Sequence, residues 1–260
     1  MTRPGDISEA TTALVRGVPD SFARCELTWI ERRPMDVAAA RARHAAYVSV
    51  LREAGLRVVR LDAHEDHPDC PFVEDVLIEV GDVRVLCNPG APSRRGERAA
   101  VGERFEVVVM PDDLRLDGGD VLQVAGRVFV GTSSRTHPAA VSWLAGVVDA
   151  PVVPVDMGEG TLHLKTAATP IDDSTVLSAP LPGLRAAAPD LAVVDAPDGE
   201  EAAANVLRLP DGSLVVTAGA PRTVALLRAR GHRVSTLDIE PFARAEAGLT
   251  CLSVLLRGDA

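Results

Sequence analysis

The segment Gly119-Asp120-Val121-Leu122, followed by Gly126 and the apolar residues 128–130, shows a pattern that recurs along the chain. A polar residue precedes an apolar strand, a turn containing glycine and a second apolar strand, which is typical of a β-hairpin. The pattern recurs in residues 74–86, 163–177, 205–216 and 251–256. These repeats predict a fold assembled from similar units.

The repeat has a period of about 45 residues: 45 from Asp75 to Asp120, 45 from Asp120 to Lys165 and 40 from Lys165 to Asn205. Apolar spacing predicts a helix in each unit and a short strand after it. The predicted helices are residues 36–54, with Asp36 as N-cap, 94–105, 135–144, 182–187 and 221–230. The predicted third strands are residues 56–61, 106–110, 151–155, 191–194 and 233–237.

The last repeat, residues 251–256, contains only one strand of its hairpin, and residues 11–15 can supply the second strand. A repeat divided between the two ends of a chain favours a closed ring, since a solenoid has distinct capping repeats. We therefore predict an α/β fold, a five-bladed α/β propeller of pseudo-fivefold hairpin-helix-strand modules. The prediction treats residues 1–260 as a single catalytic domain.

Charge and hydropathy restrict the partners. The formal net charge of −10 argues against nucleic acid, which binds clustered Lys and Arg. The first ten residues do not resemble a secretory signal, and no apolar run approaches the roughly 20 residues of a spanning helix. We expect a cytoplasmic protein with no membrane partner and a cationic small molecule as ligand. A homodimer is an oligomeric state that the sequence allows.

The four cysteines are irregularly spaced, without a CxxC pair or a Cys/His group of the zinc-finger type: Cys25, Cys70, Cys87 and Cys251. Free thiols are therefore expected, with no structural metal. Each cysteine taken alone fits a buried, unreactive side chain.

Ring closure would bring the polar residues at the start of each repeat together near the axis. They are Asp69, Glu74, Asp75, Asp117, Asp120, His163 and Cys251. A thiol, an imidazole and several carboxylates suit a guanidinium, because carboxylates match its planar donors and a thiolate can attack its carbon. The imidazole can protonate the departing amine. Taken singly, His163 also fits a core histidine, and Asp117 and Asp120 fit turn residues.

Five motifs in this order resemble the dimethylarginine dimethylaminohydrolase family of the guanidino-group modifying (pentein) superfamily, over residues 12–257. The motifs are Pro68-Asp69-Cys70-Pro71-Phe72-Val73-Glu74-Asp75, Pro89-Gly90-Ala91-Pro92-Ser93-Arg94-Arg95, Leu116-Asp117-Gly118-Gly119-Asp120-Val121-Leu122, Leu162-His163-Leu164-Lys165 and Leu249-Thr250-Cys251. The family is known as a five-bladed α/β propeller, in agreement with the repeat count.

The resemblance implies that Cys251 is the nucleophile, His163 the general acid and base, and Asp117 a supporting carboxylate. It implies that Asp69, Glu74 and Asp75 hold the guanidinium or the α-amino group, and that Arg94 and Arg135 hold the α-carboxylate. Leu27 matches a lid residue, Phe72 the leaving-group side and Ala245 the amino-acid end of the pocket. The implied reaction, without metal or cofactor, is hydrolysis of Nω-methylated arginine to citrulline and a methylamine.

Three alternatives stay open at this stage. The same residues would serve an arginine deiminase acting on an unmethylated guanidinium, although Phe72 favours the methylated substrate. Amidino transfer would need an acceptor site that the sequence does not display. A non-enzymatic propeller that acts as a binding factor would not require a thiol, an imidazole and carboxylates in phase with the repeat.

Overall fold

The computed structural model describes residues 5–158 and 160–258, which contain 15 strands and seven α-helices. The strands are β1 (Ala10–Arg16), β2 (Arg57–Leu61), β3 (Leu77–Val80), β4 (Val83–Leu86), β5 (Val108–Val109), β6 (Val121–Val124), β7 (Arg127–Thr132), β8 (Val152–Asp156), β9 (Ala168–Pro170), β10 (Thr175–Ser178), β11 (Ala192–Asp195), β12 (Leu207–Arg208), β13 (Leu214–Thr217), β14 (Val234–Leu237) and β15 (Val254–Arg257). The helices are α1 (Val37–Glu53), α2 (Arg98–Gly102), α3 (Pro138–Val147), α4 (Leu164–Ala167), α5 (Pro182–Ala187), α6 (Pro221–Ala229) and α7 (Glu240–Ala243).

The strands form five sheets of three, in the orders β15-β1-β2, β3-β4-β5, β6-β7-β8, β9-β10-β11 and β12-β13-β14. In every sheet the first two strands are antiparallel and the third is parallel to the middle strand. A parallel strand needs a crossover connection, which helices provide here. The predicted module of hairpin, helix and strand is confirmed.

The two ends of the chain complete one sheet. Strand β15 pairs antiparallel with β1, with Leu14 opposite Val254, and the hydroxyl of Thr11 donates to the carbonyl of Gly258 at 3.0 Å. The predicted partner for the last strand is therefore confirmed.

The polar residues expected at the start of the first strands lie instead in short 3-10 turns just before them. These turns are Val73–Asp75, Gly118–Asp120 and Thr250–Leu252. In the fourth module the predicted strand over residues 163–168 is wrong, because α4 occupies Leu164–Ala167 and β9 begins at Ala168. Asp120 Oδ1 accepts the N–H of Leu164 at 2.9 Å, which satisfies a donor that the helix start leaves free.

The helices and apolar strands enclose five clusters of buried side chains rather than one central core. The cluster under α1 contains Tyr47, Phe22 and Phe242, and Asp36 caps this helix by accepting the N–H of Ala39, as predicted. The predicted helix over residues 94–105 is divided into a 3-10 turn, Pro92–Glu97, and the short helix α2. The clusters join neighbouring modules: one of them combines side chains of β3 and β4 with side chains of β6, β7 and α3. Within the described ranges, no helix has the length and apolar character needed to cross a membrane.

Candidate active site

The 3-10 turns meet at one end of the axis and form a narrow pocket with a cavity volume of about 30 Å³. Its lining residues are Glu26, Asp69, Phe72, Asp75, Arg94, Arg135, Leu162, His163, Ala245, Glu246, Ala247 and Cys251. They come from widely separated segments of the chain. The structure thus brings together most of the residues that the repeat and the resemblance indicate.

Cys251 lies in the turn before β15 and is 9% exposed. The hydroxyl of Tyr47 bonds to the carbonyl of Leu249 at 2.9 Å and to Ser253 Oγ at 2.7 Å, which holds this turn on both sides. Burial and the carboxylates of Glu74 and Asp75 raise the pKa of the Cys251 thiol well above its ordinary value. Cys251 is therefore a neutral thiol at neutral pH in the absence of a bound cation.

His163 Nε2 donates to Asp117 Oδ2 at 2.8 Å. Burial alone would lower the pKa of His163, but the charge of Asp75 and the hydrogen bond to Asp117 outweigh it and raise the pKa to about 9. The imidazole is consequently protonated at neutral pH and can deliver a proton. Asp117 itself is fully buried and does not line the pocket, so it contacts the pocket through His163.

Asp75 joins the imidazole to an arginine. Its Oδ1 lies 3.8 Å from His163 Nδ1 and accepts the N–H of Gly119 at 3.0 Å, and its Oδ2 accepts from Arg94 Nη1 at 2.5 Å. Burial favours the neutral acid, but His163 and Arg94 outweigh burial and lower the pKa of Asp75 to about 2. Arg94 also donates to both oxygens of Glu97, at 3.0 and 2.9 Å.

Two glycines allow the turns to approach this closely. A Cβ at position 118 would lie 2.0 Å from the carbonyl oxygen of Glu74, and a Cβ at position 119 would lie 2.8 Å from His163 Nδ1. A methyl group at either position would separate the second and third modules. The motif Asp117-Gly118-Gly119-Asp120 thus has a steric explanation, since both glycines pack against neighbouring turns.

Glu74 faces the opposite side of the turns and lines a second cavity with Lys165, rather than the pocket of Cys251. Its carboxylate bonds to Lys165 Nζ at 2.6 Å and accepts the hydroxyl of Thr250 at 2.8 Å. Burial raises the pKa of Glu74, and Lys165 opposes that effect. A contact between Glu74 and a bound guanidinium therefore stays a prediction.

Two further expected residues lie outside the pocket. Leu27 is half-buried against the cluster under α1 and does not line the cavity. Asp120 caps α4 and accepts the hydroxyl of Ser133 at 2.7 Å, and burial raises its pKa to about 6. Neither residue lines the pocket, so their expected contacts with a substrate stay predictions. Leu27 directly follows a lining residue, Glu26.

Phe72, Asp69, Arg135 and Ala245 line the pocket, as the resemblance implies. Phe72 packs edge-on against Phe22, with ring centroids 6.0 Å apart. Phe72 therefore gives the pocket a rigid apolar wall.

Two acidic residues of the mouth were not among the candidates from the sequence. Glu26 lines the pocket, and Glu246 accepts the N–H groups of Thr28 and Ile30 at 2.7 and 2.8 Å. Glu246 has a φ of 58°, a conformation that L-residues rarely adopt. Glu246 follows Ala245, which the resemblance places at the amino-acid end of the pocket, whereas Glu26 lies outside the repeat and carries no signal.

Asp75, Asp117 and His163 place one ligand atom each within 4.8 Å of one another, a spacing that a metal ion could bridge. Hydrogen bonds within the protein already engage these side chains. Asp117 accepts from Gly90 N at 2.7 Å and from His163, and Asp75 accepts from Gly119 and Arg94. The group fits a charge cluster better than an open ligand set.

Five α/β modules around a buried thiol, imidazole and carboxylates define an α/β-propeller enzyme of the pentein type. A solved structure of the Pseudomonas aeruginosa DDAH, a cysteine-to-serine variant complexed with citrulline, matches with a TM-score of 0.89. It is 24% identical and covers 95% of this chain and 99% of that one. The N-terminal domain of ArgZ, a cyanobacterial arginine dihydrolase, matches with a TM-score of 0.84 at 18% identity, covering 95% and 97% of the two chains. Both show the shared fold.

Sequence comparison is more specific. The N(G),N(G)-dimethylarginine dimethylaminohydrolase of Streptomyces coelicolor is 36% identical over 254 residues, which cover 94% of this chain and 96% of that protein. The protein of the same name from Pseudomonas aeruginosa is 26% identical, with 84% and 89% covered. No family model matches the sequence. The chain belongs to the dimethylarginine dimethylaminohydrolase family.

Proposed function

We propose that this protein hydrolyses Nω-methylated arginine, either asymmetric dimethylarginine or monomethylarginine, to citrulline and dimethylamine or methylamine. The observation that carries the proposal is the pairing of a buried thiol, Cys251, with a protonated imidazole, His163, in the same pocket. The 36% identity to the Streptomyces enzyme supports the substrate class. The whole chain would act as one catalytic domain, without a metal or an organic cofactor.

A bound guanidinium brings the positive charge that the resting site requires. The thiol of Cys251 is neutral because burial, Glu74 and Asp75 disfavour a thiolate. A cation held near the sulfur favours the thiolate by direct attraction, an effect that is strong where water is excluded. Binding of the substrate would therefore generate the thiolate, with the thiol proton released to solvent because His163 is already protonated. The free enzyme would react slowly with neutral reagents.

In the first half-reaction, Cys251 Sγ forms a bond to the guanidinium carbon. His163 gives its proton to the substituted nitrogen, the carbon–nitrogen bond breaks, and dimethylamine leaves. The product on the enzyme is a covalent thiouronium adduct. The negative charge of Asp117 stabilises the imidazolium beforehand and orients the ring through the 2.8 Å hydrogen bond.

In the second half-reaction, His163 accepts a proton from water, and the oxygen of that water attacks the same carbon. The carbon–sulfur bond then breaks and Cys251 recovers its electron pair. The second proton of the water passes to the sulfur as the ureido carbonyl forms, so the neutral thiol is restored and citrulline is released. One imidazole thus serves as acid and then as base. Phe72 would contact the methyl groups of the leaving amine, since an apolar wall suits methyl groups better than an unsubstituted nitrogen.

The test is a parallel incubation with asymmetric dimethylarginine, monomethylarginine, L-arginine and agmatine, with the ureido product and the released amine both measured. We expect equal amounts of citrulline and dimethylamine from the dimethylated substrate. Turnover of L-arginine alone, with ammonia released, would contradict the proposal and indicate a deiminase. A homodimeric state and a cytoplasmic location stay predictions.

A further inference from the structure

The mouth of the pocket is covered by a loop whose acidic side chain contacts a pocket arginine. Glu26 Oε2 lies 3.4 Å from Arg135 Nη1, and Glu26 Oε1 accepts the hydroxyl of Ser93. Arg135 Nη2 also donates to Thr28 Oγ1 at 3.2 Å, and the N–H of Glu26 donates to Asp69 Oδ2 at 3.1 Å. The loop thus occupies two residues that are expected to bind the amino-acid end of a substrate.

The two arginines of the pocket differ in how far their charge is neutralised. Arg94 is buried and bonded to both Asp75 and Glu97, so two carboxylates compensate its single charge. Among the described residues, Arg135 forms one ion pair, with Glu26, and the buried carboxylate of Asp69 attracts it from a longer distance. A substrate carboxylate would therefore be attracted more strongly by Arg135 than by Arg94. In the structure, the carboxylate of Glu26 already occupies Arg135.

The ion pair between Glu26 and Arg135 is suited to exchange. The side chain of Glu26 is 38% exposed, and the 3.4 Å contact lacks the two-pronged geometry of a strong arginine–carboxylate pair. Exposed pairs of this kind contribute little free energy, so a bound ligand can replace them. The carboxylate of Glu26 and that of a substrate would compete for one guanidinium.

We propose that Glu26 determines substrate specificity by competing with the carboxylate of the substrate for Arg135. This inference rests on the proposed function in that it assumes a guanidino ligand. A ligand with a carboxylate must displace Glu26, whereas a guanidino ligand that has an amino group and no carboxylate leaves the pair intact. Glu26 therefore reduces the preference of the pocket for amino acids over decarboxylated guanidines.

L-arginine and agmatine separate these two cases, because they share the guanidinium and an amino group and differ in the carboxylate. Binding of each is measured by calorimetric titration on the Cys251→Ser protein, with and without Glu26→Gln. Glutamine preserves the size and can still accept from Ser93 while removing the competing charge. We expect the Kd of L-arginine to fall about two- to fivefold in Glu26→Gln, and that of agmatine to stay unchanged or rise.

Glu31→Gln is the matched control, since Glu31 is an exposed carboxylate of the same loop and loses the same charge. It should change neither Kd by more than the error of the titration. In the active enzyme, Glu26→Gln should lower KM for the methylated substrate with kcat nearly constant.

Weaker binding of L-arginine in Glu26→Gln would overturn the inference, because it would mean that Glu26 holds the amino group of the ligand. An unchanged Kd, or no binding of L-arginine at all, would overturn it as well. If methylated arginine is not turned over but L-arginine binds more tightly to Glu26→Gln, the proposed function fails and this inference stands. The binding and turnover measurements therefore distinguish the two failures.

Discussion

The carboxylate of Asp117 bonds to His163 with one oxygen and to the backbone with the other. Its Oδ2 lies 2.8 Å from His163 Nε2, and its Oδ1 accepts the N–H of Gly90 at 2.7 Å. A carboxylate fixed at both oxygens cannot rotate away from the imidazole. The orientation of the His163 ring therefore depends on Gly90, in a loop of the second module, although His163 itself belongs to the fourth.

The pH dependence of turnover should report this pair. A pKa of about 9 means that His163 keeps its proton through neutral pH and loses it above pH 9, so kcat/KM should fall on the alkaline side near that value. Asp117→Asn removes a negative charge that raises the pKa, so the alkaline limb should move to lower pH. An alkaline limb that does not move in Asp117→Asn would contradict the role given to Asp117.

Replacement of Cys251, the proposed nucleophile, should separate the chemical step from folding. Cys251→Ser should reduce kcat by at least about a thousandfold, because serine is far harder to ionise, while the thermal denaturation midpoint stays close to that of the wild type. Cys70→Ala is the control, since Cys70 is also buried but does not line the pocket. Wild-type turnover by Cys251→Ser would refute the covalent mechanism.

Lys165 should matter for stability because its partner is buried. Lys165→Met leaves the charge of Glu74 uncompensated and should cost about 3–5 kcal/mol of unfolding free energy at pH 8. The cost should shrink at pH 5, since burial raises the pKa of Glu74 and a neutral acid needs no partner.

Arg185→Met provides the comparison in denaturant titrations, because its ion pair with Asp195 is exposed on both sides. It should change the unfolding free energy by about 0–1 kcal/mol. Equal effects for the two variants would argue against a special role for the Lys165–Glu74 pair.

Gly118, at the contact between two modules, should not tolerate replacement even by alanine. Gly118→Ala places a methyl group 2.0 Å from the carbonyl oxygen of Glu74 and should cost at least about 1–3 kcal/mol, measured by thermal unfolding. Gly146→Ala, near the end of α3 with open space around its Cβ position, should be neutral or stabilising by up to about 1 kcal/mol. A Gly118→Ala protein as stable as Gly146→Ala would mean that the turns can separate without loss.

The repeat could be predicted because each module carries its own apolar period and turn signals, and the predicted bounds of α1 and α5 agree closely with the structure. The short 3-10 turns could not be predicted, because residues such as Glu74 and Asp75 stand beside apolar residues that resemble the start of a strand. Helix α4 was also missed, because its first donor is satisfied by Asp120, 44 positions earlier in the chain. Local sequence does not contain that contact.

Some residues of the pocket could likewise be predicted from the repeat, and others could not. Cys251, His163 and Asp75 all fall near the start of a repeat, so ring closure predicts that they lie close together near the axis. Glu26 lies in a loop outside the repeat, and its contact with Arg135 depends on how that loop folds over the mouth. Such a contact depends on tertiary packing and has no periodic signal in the sequence.

The pairing of β1 with β15 has a consequence for the time course of folding. The hydrogen bond between Thr11 and Gly258 joins residues 247 positions apart, so this contact pays a larger closure entropy than those within a module. Contacts of such high sequence separation are formed slowly. Cys251 lies in the turn just before β15, so we expect the pocket around it to be completed only when β15 pairs with β1.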